Sequence, residues 1–440
     1  MESVASVMKP VLVSLLGDEP ALPVRFWDGS ALGRDEARSS VFVRSPTALR
    51  HLLWAPGELG LARAYVAGDI DIEGEIFDIL ELRDAFADPA RGVKVRLGRS
   101  ARAHLLRALR SLHAFGPRPS APPEEVRLRG RLHSNDRDAQ AVSHHYDVSN
   151  DFYRIILGET MTYSCAYFER DNMSLDDAQH AKYELVARKL RLRPNMRLLD
   201  VGCGWGGMVI HATLRYDLRC VGITLSRKQA DGAAKRVAEL GLADRIEIRI
   251  QDYRDIDDGP YDAISSIGMF EHVGIAKTRA YLDKLAGLLS PGGRLLNHAI
   301  SRPSGGPGFD RNSFVARYVF PDGELQEVGR VVSAVHASGL EVRDVHSLRE
   351  HYARTLRWWV SNLEANWDRA VELVGPGRAR VWRLYMAGAA LNFEAGRTSV
   401  HQTLAVNSAG SPLELDATRV NWPSQETAIH RRDLNVNSPR

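Results

Sequence analysis

Three glycines and two carboxylates near the middle of the chain pose the chemical question. LLDVGCGWGG, Leu198 to Gly207, holds Gly202, Gly204 and Gly207 in the G-x-G-x-x-G spacing of a dinucleotide-binding turn. Such a site needs an acidic side chain about 20 residues beyond the first glycine, to accept hydrogen bonds from a ribose. That place is VGITLSRKQ, Val221 to Gln229, where the expected strand ends at Thr224 and no Asp or Glu stands. Asp200 lies inside the turn sequence, where it would repel a pyrophosphate. The same carboxylate suits a ligand that carries an ammonium group and a positive centre but no phosphate. S-adenosylmethionine has those features, with an α-ammonium and a sulfonium. Asp252, in IQDY, stands where a carboxylate could accept from an adenine amino group. Either acid taken singly reads as a solvated loop residue. Together with the missing ribose acid they favour S-adenosylmethionine over NAD or FAD.

Other reactive side chains are less telling by themselves. Glu271 follows the apolar run SSIGMF, at the strand edge where open α/β sheets gather their ligands. His298 lies inside LLNHAIS, and a histidine in so apolar a strand is more often a satisfied core residue than a ligand. Tyr352 alone reads as packing, and Trp205, Trp358 and Trp359 as core. Cys165 could be a nucleophile, but no Cys–His–Asn arrangement can be argued from the sequence. The three cysteines, Cys165, Cys203 and Cys220, make no disulfide framework and lack metal-ligand spacing, which fits a reducing cytoplasm.

These residues need a scaffold, and the chain alternates as a doubly wound α/β sheet must. RLLDVG, LRCVGITLS, RIEIRIQDY, YDAISSIGMF and RLLNHAIS read as strands. GMVIHATLRY, RKQADGAAKRVAELG and AKTRAYLDKLAGLL read as the helices between them, and a helix-rich stretch then runs to about Phe393. In such a fold ligands bind at the carboxyl ends of the strands. Residues 1–115 mix short strands (LPVRFWDG, SSVFVRS) with a helix stopped by Gly68, and predict a small α+β accessory domain. Residues 116–130 are a Pro-rich basic linker, 131–418 the catalytic domain and 419–440 a polar tail.

The 440 residues are 44% hydrophobic and 26% charged, a globular composition with room for two or three domains. Net charge is only +3, but Arg91 to Arg131 holds eleven Lys/Arg against Glu124 and Glu125. Within it Leu105, Leu109 and Leu112 share a helical face flanked by Arg102, Arg107 and Arg110. A basic amphipathic helix can lie on an anionic membrane; the alternatives are a solvated helix packed on its own domain, or nucleic-acid contact. The N-terminal apolar run is too short for a signal peptide, and no run reaches the roughly 18 apolar residues of a membrane span. A soluble or peripheral protein is expected.

HHYDVSNDFY, MTYSCAYF, LLDVGCGWGG, GITLSRKQ, SSIGMFEHVG, LLNHAIS and EHYARTLRWW, in order from His144 to Trp359, resemble the cyclopropane-fatty-acid synthases and mycolic acid methyltransferases. LGLARAYVAGDI and YVFPDGEL further resemble an actinobacterial subgroup that makes 10-methyl (tuberculostearic) chains with a separate flavin-dependent reductase. The resemblance implies a Rossmann-like class I S-adenosylmethionine-dependent methyltransferase. The cofactor would be held by Tyr163, Ser164, Gly202, Gly204, Thr224, Leu225, Gln229, and Asp252 or Tyr253. It also implies a bound bicarbonate, held by the Cys165 and Ile300 backbones, Glu271, His298 and Tyr352.

The implied reaction attacks the sulfonium methyl with the cis double bond of a phospholipid acyl chain. Water would trap the resulting cation, so the pocket must be apolar. Tyr163, Tyr167, Phe168, Phe270 and Tyr352 are candidate aromatic walls for it. Proton loss to bicarbonate ends the reaction, giving a 10-methylene chain after a hydride shift or, alternatively, a cyclopropane. A homodimer at the inner face of the membrane is expected, and no nucleic-acid partner: GMFEHVG stands where adenine methyltransferases carry Asn/Asp-Pro-Pro-aromatic. A non-catalytic lipid-binding protein is a further alternative, opposed by the joint presence of Glu271, His298 and Tyr352.

Overall fold

The computed structural model describes residues 2–16, 20, 22–33, 38–85, 98–126, 137, 149–306, 310 and 312–409. His144, His145 and Tyr146, the end of the expected linker and the 419–440 tail lie outside them. In the catalytic part, strands β5 (Arg197–Val201), β6 (Arg219–Thr224), β7 (Ile246–Ile250), β8 (Tyr261–Ile267) and β9 (Leu289–Ser301) form the parallel sheet the sequence predicts. Two further strands, β10 (Glu341–Ser347) and β11 (Ser399–Val406), complete it antiparallel, in the order β10-β11-β9-β8-β5-β6-β7. The sheet is therefore mixed, as large sheets often are. Chain order reverses between β5 and β8, which opens the crevice at their carboxyl ends where a ligand binds in this class of fold.

The N-terminal part is a second sheet, β2-β1-β3-β4 (Ala31–Leu32, Val24–Phe26, Ser40–Val43 and Ile70–Glu73). The basic helix forms over Arg99–Ser111, as its periodicity predicts. Its apolar face, however, is covered: Leu105 and Leu109 are buried with Ala101 and Ala108, in one cluster with Val4, Met8 and Val11 of the Val4–Leu16 helix. Insertion of that face into lipid is thus replaced by packing on its own domain. The cationic face stays free. Arg99, Arg102, Arg107, Arg110 and Arg118 are exposed, with no acidic residue between 98 and 118.

Trp205 and Trp359 are core, as expected. Trp358 is not, being 36% exposed, because a helix turns by about 100° per residue and carries neighbours to different faces. No helix among the described residues is long and apolar enough to cross a membrane.

Candidate active site

Local sequence explains how the glycine turn is shaped. Gly202, Gly204 and Gly206 all have positive φ (83°, 54° and 79°), a conformation that disfavours any side chain. The Gly202 and Cys203 amides both donate to the Ile223 carbonyl, at 3.0 and 2.9 Å, which clasps the turn to β6. Gly207 is needed for space: a Cβ there would stand 1.9 Å from the Tyr183 hydroxyl.

This turn forms the floor of a cavity at the carboxyl ends of β5, β6 and β8. Of the residues proposed from sequence, Tyr163, Ser164, Asp200, Gly202, Gly204, Thr224, Leu225, Gln229 and Tyr253 line it. Asp200 is the register partner of Ser265 on β8, whose hydroxyl donates to its carboxylate at 2.6 Å. Burial raises the Asp200 carboxyl to about 6, with Ser265 and Lys182 opposing the rise. Ser226 caps the Arg227–Glu239 helix and fixes Gln229 in its first turn. There the Gln229 amide oxygen accepts from the Thr224 hydroxyl at 2.9 Å. A neutral amide thus occupies the ground where a dinucleotide site would place its acid.

Asp252 is turned elsewhere. It caps the short Tyr253–Asp255 turn and binds the Arg254 guanidinium through both oxygens, at 2.8 and 2.5 Å. Burial pushes its pKa up, but the Arg254 hydrogen bonds outweigh that and hold it below the usual range. The cavity wall is made instead by its neighbours Gln251 and Tyr253.

Tyr163 and Ser164 sit in an irregular segment clamped by the Leu175–Leu190 helix. Gln179 donates to the Ser164 carbonyl at 2.9 Å, and the Lys182 ammonium to the Ser164 hydroxyl at 3.0 Å. Neither helix residue was singled out from sequence, since polar residues on an amphipathic helix read as its solvated side. Both are buried.

A second cluster adjoins the first through aromatic rings. The Tyr163 ring stacks on Trp359 at 5.1 Å, and Trp359 meets the edge of Tyr352 at 6.0 Å. Tyr385, also missed in the sequence, is buried in the same apolar cluster and senses the charge of Glu271. Glu271 stands in the short turn after β8, where its Oε1 accepts from the Ile300 amide at 2.7 Å. The Ile300 amide is therefore engaged by Glu271, a partner the sequence reading did not foresee. Glu271 Oε2 is buried with no hydrogen-bond partner, and so is His298 Nε2. The other His298 nitrogen faces the Gln402 amide at 3.2 Å, from β11.

Burial raises the Glu271 carboxyl to about 7 and holds His298 well below its ordinary value, with Lys182 and Lys189 adding to the latter. Burial also pushes the Cys165 thiol far up, and the thiol donates to the Ala166 carbonyl, a setting that disfavours the thiolate. Phe270, expected on the same wall, belongs to a different core and packs on Tyr281. Tyr167 and Phe168 face His351. Among the described residues no cluster of His, Cys, Asp and Glu could hold a metal ion.

Comparison with known proteins agrees with this fold. The family profile described as mycolic acid cyclopropane synthetase matches residues 133–403. A Mycobacterium tuberculosis protein named "Probable fatty acid methyltransferase" is 44% identical over 398 residues, covering 87% of this chain and 91% of its own. Cyclopropane mycolic acid synthase 3 of the same species is 38% identical over 272 residues, covering 59% of this chain and 94% of its own. Among solved structures, mycolic acid cyclopropane synthase CmaA1 complexed with SAH and CTAB superposes with a TM-score of 0.58. It is 36% identical and covers 61% of this chain and 98% of its own.

Proposed function

The chain belongs to the mycolic acid cyclopropane synthetase family, and on that premise we propose that it methylates the cis double bond of an unsaturated phospholipid acyl chain, using S-adenosylmethionine. The cavity suits that cofactor. Asp200 offers a carboxylate to an ammonium, Gln229 an amide to ribose hydroxyls, and Tyr253 and Leu225 a wall for adenine. Bound there, S-adenosylmethionine supplies an electrophilic methyl group.

The chain's own residues do the rest. The buried Tyr352 and Trp359 and the half-buried Tyr163 form an aromatic wall that excludes water from a carbon bearing positive charge, and their faces stabilise that charge without reacting. The observation that carries the reading is the pair of buried, unpartnered polar atoms, Glu271 Oε2 and His298 Nε2, where Glu271 is held at the Ile300 amide two residues along β9 from His298. Most buried polar atoms in folded proteins are satisfied, so two left open this near each other in the sheet call for a small polar guest. Bicarbonate fits them, and when bound it supplies a proton acceptor of modest strength. Glu271, His298 and Tyr352 would hold it, with the Cys165 and Ile300 backbones at the margin. The Ile300 amide would share its hydrogen between the guest and Glu271.

Between products we favour the 10-methylene chain, which a separate flavin-dependent reductase would convert to 10-methyl. The relative named as a fatty acid methyltransferase matches nearly the whole chain, whereas the cyclopropane mycolic acid synthase matches the catalytic part. Access to lipid would be through the arginine face of the Arg99–Ser111 helix, drawn to an anionic bilayer at the inner membrane surface. The decisive experiment gives the protein S-adenosylmethionine with oleoyl phospholipid vesicles, with and without anionic lipid, and analyses the released methyl esters by mass spectrometry and NMR. Exomethylene protons, formed faster on anionic vesicles, are expected. Cyclopropane protons alone would overturn the product assignment, and no modified chain would overturn the reaction.

A further inference from the structure

Lys182 is 1% exposed and lines the same cavity as Asp200, yet no step above uses it. An ammonium has three N–H donors. Here the Ser164 hydroxyl, at 3.0 Å, accepts one, and the Tyr183 ring lies 4.4 Å away. No anionic side chain is ion-paired with it among the described residues. A buried charge without a partner is costly, and an anion arriving beside it restores what burial removed.

Resting on the cofactor reading above, we propose that Lys182, with Ser164, binds the methionyl carboxylate of S-adenosylmethionine, while Asp200 takes the α-ammonium. The charges then match group by group. The amino-acid end of the cofactor is a zwitterion, and the cavity presents one buried cation and one buried anion to it. Were the carboxylate absent, the lysine would face an ammonium and a sulfonium with only Asp200 to offset the repulsion. Burial supports the pairing from both sides, since it lowers the Lys182 ammonium to about 8 and raises the Asp200 carboxyl to about 6. Each charge is poorly stabilised until an opposite one arrives. Ser164 gains a role too, because a hydroxyl that accepts from Lys182 can donate its own proton to the incoming carboxylate.

Calorimetric titration with S-adenosylmethionine and with decarboxylated S-adenosylmethionine tests this, each with and without added bicarbonate. The wild-type protein should bind the carboxylate-bearing ligand roughly 10- to 100-fold more tightly, the range of a charge-assisted hydrogen bond. Lys182→Met should erase that preference by weakening the first ligand about as much, while binding the decarboxylated ligand as well as before or better. Lys182→Arg, which keeps the charge, should keep the preference. Equal wild-type affinities for the two ligands overturn the proposal without any variant, should Lys182→Met fail to fold. Equal loss for both ligands in Lys182→Met also overturns it. A Lys182→Met effect seen only with bicarbonate assigns the lysine to that ion and overturns it as well. A wild-type protein that binds neither ligand overturns the cofactor reading itself.

Discussion

Burial sets two demands on Glu271 that pull apart. A carboxyl raised from its ordinary 4.5 to about 7 favours its protonated form in the folded chain. The folded state then holds a proton that the unfolded chain has already released, so stability is greatest below the ordinary value and falls as pH rises through about 7. Between pH 5 and pH 8 this amounts to roughly 2–3 kcal/mol. Glu271→Gln should remove that dependence, and its thermal midpoint should exceed the wild type's at pH 8 but not at pH 4. It should still bind S-adenosylmethionine and lose turnover at least about 100-fold, as removal of an acid–base or ion-holding group does. Scanning calorimetry at the two pH values and single-turnover product analysis check both halves. Near-normal turnover would remove Glu271 from the chemistry. At this scale Asp200 and the glycines were legible because their signal is local, a turn and its neighbours in ten residues. Asp252 was misleading because Arg254, two residues on, competes for its carboxylate. Lys182 was illegible because a helical lysine is ordinarily solvated, and only the fold reveals that this one faces inward.

The elements that carry the turn explain which parts of the scaffold could be foreseen. Strands β5, β6, β8 and β9 are apolar runs and β7 alternates, with helices after β5, β6 and β8, so pattern alone sufficed. β11, SVHQTLAV, places the half-buried His401 and the buried Gln402 in an interior strand, where the His401 ring meets the Ser301 hydroxyl and the Gln402 amide nitrogen meets His298. β10, EVRDVHS, is a charged edge strand that resembles a loop, and Asp344 within it is paired with the buried Lys189. Polar residues satisfied across strands leave no trace in a single-strand pattern. The Gly207 helix shows the opposite case, a fit that sequence marks but does not explain. Gly207→Ala would drive a methyl into the Tyr183 hydroxyl, which is itself hydrogen-bonded to Thr162 in a buried setting. It should cost about 1–3 kcal/mol, as overpacking does. Adding Tyr183→Phe should recover part of that, since the nearest clashing atom is removed and the ring carbon remains at 2.7 Å. Urea midpoints of the three variants give the answer, and additive losses in the double variant would mean the strain lies elsewhere.

Across the whole molecule, the segment read as a linker acts as a clasp. Its composition predicts a Pro-rich linker, and its described residues, 116–126, hold no helix or strand. Glu125, though, is buried and takes both arms of Arg63 from the Glu58–Val66 helix, at 2.7 and 2.8 Å. The adjoining Val126 amide donates to the Arg317 carbonyl in the catalytic part, at 2.7 Å, and the Tyr318 hydroxyl reaches Glu125. One apolar core continues across the same boundary, joining Ala62, Val66, Ile76 and Phe77 to Phe152, Tyr318 and Trp382. The two parts should therefore unfold together, with the ion pair holding the N-terminal sheet, and the arginine face beyond it, in a fixed place relative to the active site. Burial pushes the Glu125 carboxyl up, but its hydrogen bonds with Arg63 win and hold it below the ordinary 4.5. The stability it contributes is present above that value and is lost as pH falls through the lowered one. Glu125→Gln leaves the Arg63 charge buried and uncompensated, which should cost about 3–5 kcal/mol at pH 7. The deficit should shrink as pH falls and the wild-type carboxyl takes up its proton. Tryptophan fluorescence during urea unfolding follows both parts at once, because Trp27 lies in the N-terminal part and Trp205, Trp359 and Trp382 in the catalytic one. A single transition shifted to lower urea is the expected result. An unchanged midpoint would mean that the apolar boundary alone fixes the two parts, and that the clasp contributes nothing to their alignment.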